Sequence, residues 1–269
     1  MPGQSWSKRR WIFYLVLFVA ALLYVGFARP HFIWGEARYS RLSLVFLLNL
    51  ALVLSLALSI GYALSGRAAG IFIDSRNRIS LSRFQLVLWT VLVAAAVWTT
   101  FAWNVAETSG HMPGDFTLPS QLYLALGISG FTGVVATPFL LGDKRAQTPD
   151  NAQFTQKIDA LTDAGQVKGA VKNVGAVVTR DAAANAEWSD LFKGDEIGNF
   201  FSADIGKLQN FLFTIIVLAS YAGALYYQFD TIKSLAEITA FPEFSATLTG
   251  FLAISHAAYL GGKAQTGSK

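Results

Sequence analysis

Residues 80–93 read SLSRFQLVLWTVLV and residues 204–217 read DIGKLQNFLFTIIV. Laid over each other without a gap, they pair Leu81 with Ile205, Arg83 with Lys207, Phe84 with Leu208, Gln85 with Gln209, Trp89 with Phe213 and Thr90 with Thr214. Each stretch sets a basic residue and a Gln ahead of an uncharged apolar run, the pattern of a helix entering lipid. Downstream, LPSQLYLALGIS (118–129) and FPEFSATLTGFLAIS (241–255) both open on an apolar residue and Pro and close on Ile-Ser. The chain therefore repeats a helical hairpin: an outward helix, a short outer loop with Pro, and a return helix. An even number of crossings separates the copies, so the repeat is parallel.

Outward from the repeat, further apolar runs complete a set of six, at about 11–28, 43–65, 84–105, 120–141, 208–228 and 244–261. Each is long enough to cross a hydrocarbon core of roughly 30 Å at about 1.5 Å per residue. Composition agrees: 53% of the 269 residues are apolar and 14% are charged, against about 25% charged in an average soluble domain. The expected fold is an all-α polytopic transmembrane bundle of about six crossings with both termini cytoplasmic. Its expected parts are an N-terminal hairpin (1–65), repeat 1 (66–142), a cytoplasmic loop region (143–203), and repeat 2 with the C-terminal tail (204–269). The first run follows Lys8, Arg9 and Arg10 and exceeds a usual secretory signal core, so it reads as a signal anchor.

With the N-terminus inside, segments 1–10, 66–83, 142–207 and 262–269 hold 17 of the 21 Lys and Arg residues. That bias follows the positive-inside rule. Arg29, Arg38, Arg41 and Lys233 fall outside, and the three Arg of the first outer loop are the discordant element. The net charge of +4 is thus a topological signal spread over several loops, which excludes a nucleic-acid patch as its reading. Cysteine is absent, which excludes disulfides and thiolate metal sites.

Several residues are candidates for function. Ser82-Arg83-Phe84-Gln85 fits a capping box, Asp204 caps the second copy, and Arg83 and Lys207 are expected to snorkel to headgroups. Gln85, Thr90, Gln209 and Thr214 are polar without charge and are candidates to line a pore or its mouth. Within 142–207, Phe154, Ile158, Leu161, Val167, Val171 and Val174 recur at near-helical spacing, interrupted by Gly165, Gly169 and Gly175. Trp188, Leu191, Phe192, Phe200 and Phe201 form an aromatic stretch suited to docking a cytoplasmic partner. No phosphate loop or His cluster accompanies it, and no cofactor or metal is expected. His31, His111, Glu36, Glu107 and Asp115 match no metal-ligand spacing. Outside boundary residues no run contains Asp, Glu, Lys or Arg, which disfavours proton coupling through a buried carboxylate.

The stretches IDSRNRISLSRFQLVLWT (73–90), WSDLFKGDEIGN (188–199) and DIGKLQNFLFT (204–214) resemble a group of bacterial polytopic inner-membrane proteins with duplicated hairpins, in which Gln precedes an aromatic residue and Thr. The resemblance covers about residues 66–263; it implies a bacterial inner membrane and names no activity. A superficial second resemblance, to rhomboid proteases, rests on Gly127-Ile128-Ser129-Gly130 in the fourth run and His256 in the sixth. It implies an intramembrane serine protease with Ser129 as nucleophile and His256 as base. This chain departs from that pattern in the Ala-Ala-Tyr that follows His256, in the missing His-rich second crossing, in the long inside loop and in the repeat. Small residues around Ser129 also serve close helix packing in lipid. Three functions follow as expectations: an oligomeric channel first, then a membrane anchor recruiting a cytoplasmic complex through 143–203, then the protease.

Overall fold

The computed structural model describes residues 7–27, 42–107, 116–163, 165, 170–232 and 237–265. Its helices are α1 (Lys8–Phe27), α2 (Leu42–Ser65), α3 (Leu81–Glu107), α4 (Ser120–Gly130), α5 (Thr137–Arg145), α6 (Asn151–Asp163), α7 (Ile205–Thr231) and α8 (Ala246–Ala264). A π-helical turn, Phe131–Ala136, welds α4 to α5. Five helices are long and apolar enough to cross a membrane: α1, α2, α3, the welded α4–α5 and α7. The fold is thus mostly helical, consistent with a multi-pass membrane protein. The expected sixth crossing corresponds to α8, which has the length at 19 residues. It falls short in apolarity because Thr247, Thr249, Ser255, His256 and Lys263 dilute it.

The central helix is α3. It runs for 27 residues without Gly or Pro, and half of its spanning stretch is buried, more than in any other span. Trp89, Ala95, Ala96 and Trp103 are enclosed, in a core shared with Phe46 of α2, Val217, Leu225 and Phe229 of α7, and Leu252 of α8. Small side chains set the closest approaches: a Cβ on Gly26 of α1 would lie 2.9 Å from the Cβ of Ala102. The outward residues, Phe13, Val16, Phe139 and Ile216 among them, are exposed and apolar, as lipid-facing positions are.

The π turn has a local cause. Pro138 lacks an N–H and cannot donate to the carbonyl four residues back. The Thr137 N–H bonds Thr132 O instead, five residues back, so the wider register absorbs the missing donor. Helix α7 begins as expected, with the Asp204 carboxylate accepting from the Lys207 N–H at 3.0 Å. Helix α3 does not: Ser82 Oγ pairs with Ser80 Oγ and the Gln85 amide reaches across to α7, so the expected capping box does not form. A long-range pairing wins over the local one because Gln85 faces the interior.

At the end away from the loop region, Asn104 of α3 clamps Ile238, giving Nδ2 to its carbonyl at 3.0 Å and accepting its N–H at 2.9 Å. The segments before Pro119 and Pro242 run side by side there, joined by Thr117 N to Thr239 O at 2.9 Å and Phe241 N to Thr117 O at 3.0 Å.

At the other end, residues 66–80 and the described residues of 142–204 fold together with the end of α8 into a small cap. The expectation of an all-α chain is corrected here by an antiparallel hairpin, β1 (Val171–Val174) and β2 (Val177–Arg180), with Val171 opposite Arg180. The helical spacing from Phe154 therefore stops early. Helix α6 ends at Asp163, Gly165 takes φ +66°, and Val171 and Val174 belong to a strand; Val167 lies outside the described residues. β-branched residues on both sides of a two-residue turn outweigh the chance period. Gly175 of that turn has φ +61°, and a Cβ there would come within 2.4 Å of Arg145 O, so both conformation and space require glycine. Arg29, Arg38, Arg41, Lys233, His31, Glu36, His111 and Asp115 lie outside the described residues.

Candidate functional site

The cap is held by charge. Asp195 is buried, and four cations from three parts of the chain converge on its carboxylate. Arg76 Nη1 approaches Oδ1 at 2.6 Å and Arg78 Nη1 at 3.4 Å, both from the link between α2 and α3. From the first turn of α7, Lys207 Nζ donates to Oδ1 at 2.7 Å and to Lys193 O at 2.5 Å. From the last turn of α8, Lys263 Nζ pairs with Oδ2. Burial alone would push the Asp195 pKa up, but Arg76, Lys207, Lys263 and Arg78 outweigh it and hold the carboxyl well below its ordinary value.

The surrounding groups complete the lattice. Asp74 accepts from the Arg76 N–H at 2.9 Å and from Nε and Nη2 at 2.8 and 2.6 Å. Arg78 also donates to Gly194 O at 2.8 Å, sits 4.6 Å from the Phe200 ring centroid and pairs with Asp190 at 3.5 Å. Asp190 in turn accepts from Arg180 Nη2 at 3.0 Å, as does Glu187. Lys144, from the last turn of α5, pairs with Glu196 and donates to Gln265 O at 3.1 Å. The loop region is thereby tied to the α2–α3 link and to the ends of α5, α7 and α8.

The expected interfacial pair divides. Arg83 stays on the protein surface and donates Nη1 to Ile73 O at 2.8 Å. Lys207 does not reach outward: it is 3% exposed, because Asp195 offers a buried counter-charge closer than any headgroup. The expected pore set divides too. Gln85 is fully enclosed, with Nε2 donating to Thr214 Oγ1 at 2.8 Å and to Asn210 O at 3.3 Å. Thr90 is exposed and returns its hydroxyl to Leu86 O, and Gln209 is exposed on α7. Of the docking stretch, Leu191 and Phe200 are interior and Phe192 and Phe201 are half-buried. Trp188 is the member that reaches the surface, at 51% exposure.

Ser129 and His256 are both buried where the π turn meets α8. His256 Nδ1 pairs with Thr132 Oγ1 at 2.9 Å, while Ser129 Oγ and His256 Nε2 have no hydrogen-bond partner. No hydrogen bond therefore joins them. On the same interior side, Ser255 Oγ donates to Asn210 Oδ1 at 3.2 Å, which links α8 to the Gln85–Thr214 contact. Among the described residues no group of three His, Cys, Asp or Glu side chains is placed to hold a metal ion.

Sequence reasoning missed the role of Asp195 entirely. Its only signal was the mixing of Asp190, Asp195 and Glu196 into the aromatic stretch of residues 188–201. Fold and site together define a class: a bundle of membrane-length helices bearing a charge-locked cap at one end. Compared with known proteins, the chain matches no family model, no curated protein and no solved structure.

Proposed function

We propose that the chain is a non-enzymatic, six-crossing membrane platform whose cap, facing the cytoplasm of a bacterium, presents a fixed surface to a protein partner. The observation that carries this reading is the convergence of Arg76, Arg78, Lys207 and Lys263 on Asp195. A loop region tied to the α2–α3 link and to three helix ends is held at one orientation to the membrane, which lowers the ordering cost of binding. A polar cleft of about 550 Å³ lined by Gln147, Asp150, Gln153, Lys157 and Asn199 lies on that cap and is the surface to test first. The Lys and Arg bias supports the cytoplasmic placement.

The experiment is photo-cross-linking in intact cells from a reactive residue at Gln153 or Lys157, with Phe139 on the apolar face as control. A partner that cross-links from the cap positions alone, and is lost in an inserted Asp195→Asn variant, supports the platform. A second reading, the oligomeric pore, is favoured by one observation: Gln209 and Thr90 remain exposed on spanning helices. Self-cross-links from Gln209 together with ion conductance of the purified protein in planar bilayers would replace the platform with the pore.

A further inference from the structure

We propose that the cap carries a phospholipid headgroup site built around Arg67 and Trp188, at the rim where the cap meets the spanning helices. Arg67 follows the last turn of α2 by two residues, and its guanidinium is fixed through one nitrogen. Nη1 donates to Ala183 O at 3.1 Å, Ala184 O at 2.9 Å and Ala186 O at 2.8 Å. Among the described residues nothing engages Nε or Nη2 of this half-buried side chain. A guanidinium edge held in place and left open matches a phosphate, which takes two parallel N–H donors.

Arg67 lines a cleft of about 500 Å³ together with Ala184, Asn185, Ala186, Glu187, Trp188 and Ser189. Trp188 stands at its side with its ring 5.8 Å from Phe72 and 6.3 Å from Phe84, which lies in the first turn of α3. Phe84 stacks at 5.9 Å on Phe211 of α7. These aromatic rings mark the level at which two spanning helices begin, the depth that Trp favours in bilayers. On the lipid side of Arg67, the last turn of α2 exposes Tyr62 and Leu64, the latter at 78%. Guanidinium, indole and apolar helix surface thus meet at one rim, the three chemistries that the phosphate, glycerol and acyl chain of a lipid require. Continuity with the apolar surface selects a lipid over a soluble phosphate. Glu187, the anion of the cleft, is already paired with Arg180 and Lys193, which hold its pKa low against partial burial and mask its charge from the phosphate. This site does not depend on the platform reading, since a lipid clasp serves a pore equally well.

The test is native mass spectrometry of the full chain, released from nanodiscs containing phosphatidylglycerol and phosphatidylethanolamine, for wild type, Arg67→Gln, Arg67→Lys and Trp188→Ala. The expected result is one retained phospholipid on the wild type, a loss of about tenfold in occupancy for Arg67→Gln, and a smaller loss for Arg67→Lys, which keeps charge without the fork. Because Arg67 also braces three carbonyls, Trp188→Ala gives the arm free of that bracing and should lower occupancy with only a small fall in the thermal midpoint from its lost contacts with Phe72 and Phe84. Equal occupancy in Trp188→Ala and wild type would overturn the site. So would displacement of the lipid by millimolar inorganic phosphate, which would reveal a site for the free anion instead.

Discussion

One carboxylate facing four cations leaves little room for substitution at Asp195. Replacing it with Asn keeps the shape and removes the counter-charge for buried Arg76, Arg78, Lys207 and Lys263. Breaking a buried ion pair from one side costs about 3–5 kcal/mol, most of it the solvation penalty of the charges left behind. Asp195→Asn should therefore lower the thermal midpoint of the purified protein strongly, and an unchanged midpoint would show the cluster to be solvated. The same group sets a pH dependence. The Asp195 carboxyl sits well below its ordinary value of 3.8 in the folded chain, and Asp74 is also lowered, its burial outweighed by Arg76. A depressed folded value contributes stability that is complete above the unfolded pKa and is lost as pH falls toward the folded one. Thermal midpoints should then show no loss from these groups between pH 7 and 5 and a drop below about pH 4, with the drop reduced in Asp195→Asn. None of this was legible residue by residue: Lys207 in isolation looks like any basic residue at a helix mouth, and its partner lies 12 positions upstream.

At the scale of elements, the helices were legible and their facing was not. Runs of apolar residues locate α2, α3 and α7 to within a few positions, because length and hydropathy are all that a spanning helix requires. A helix apolar on every side carries no phase, however, so the alignment of Gln85 with Gln209 could not say which amide points inward. Gln85 is enclosed against Thr214, whereas Gln209 is exposed. Replacing Gln85 with Leu strips Thr214 of its donor and should cost about 1–2 kcal/mol, while Gln209→Leu should stay within about 0.5 kcal/mol. Thermal unfolding of the two variants checks the contrast, and equal costs would contradict the facing described for α3 and α7. The hairpin of β1 and β2 was missed for a related reason: four-residue strands are too short for a period to declare itself, and only Gly175 between two valine-rich segments pointed to the turn.

For the whole molecule, a cap at one end and the Asn104–Ile238 clamp at the other give the bundle two different faces. Because the chain has no cysteine, single cysteines report sidedness without background. A cysteine at Ala152 or Gln153 should be shielded from an impermeant thiol reagent in intact cells, and one at Thr117 should react. Reaction at Ala152 from outside would reverse the proposed orientation. The central claim, that Asp195 locks the cap onto the helix ends, is met most directly by hydrogen–deuterium exchange of wild type and Asp195→Asn in nanodiscs. Backbone amides of residues 171–180 and 190–204 should exchange faster in the variant, while those of α3 from Trp89 to Thr100 keep their protection. Unchanged protection across the cap would contradict the lock, and loss spread equally over cap and α3 would show that Asp195 stabilises the bundle as a whole and not the cap's attachment to it.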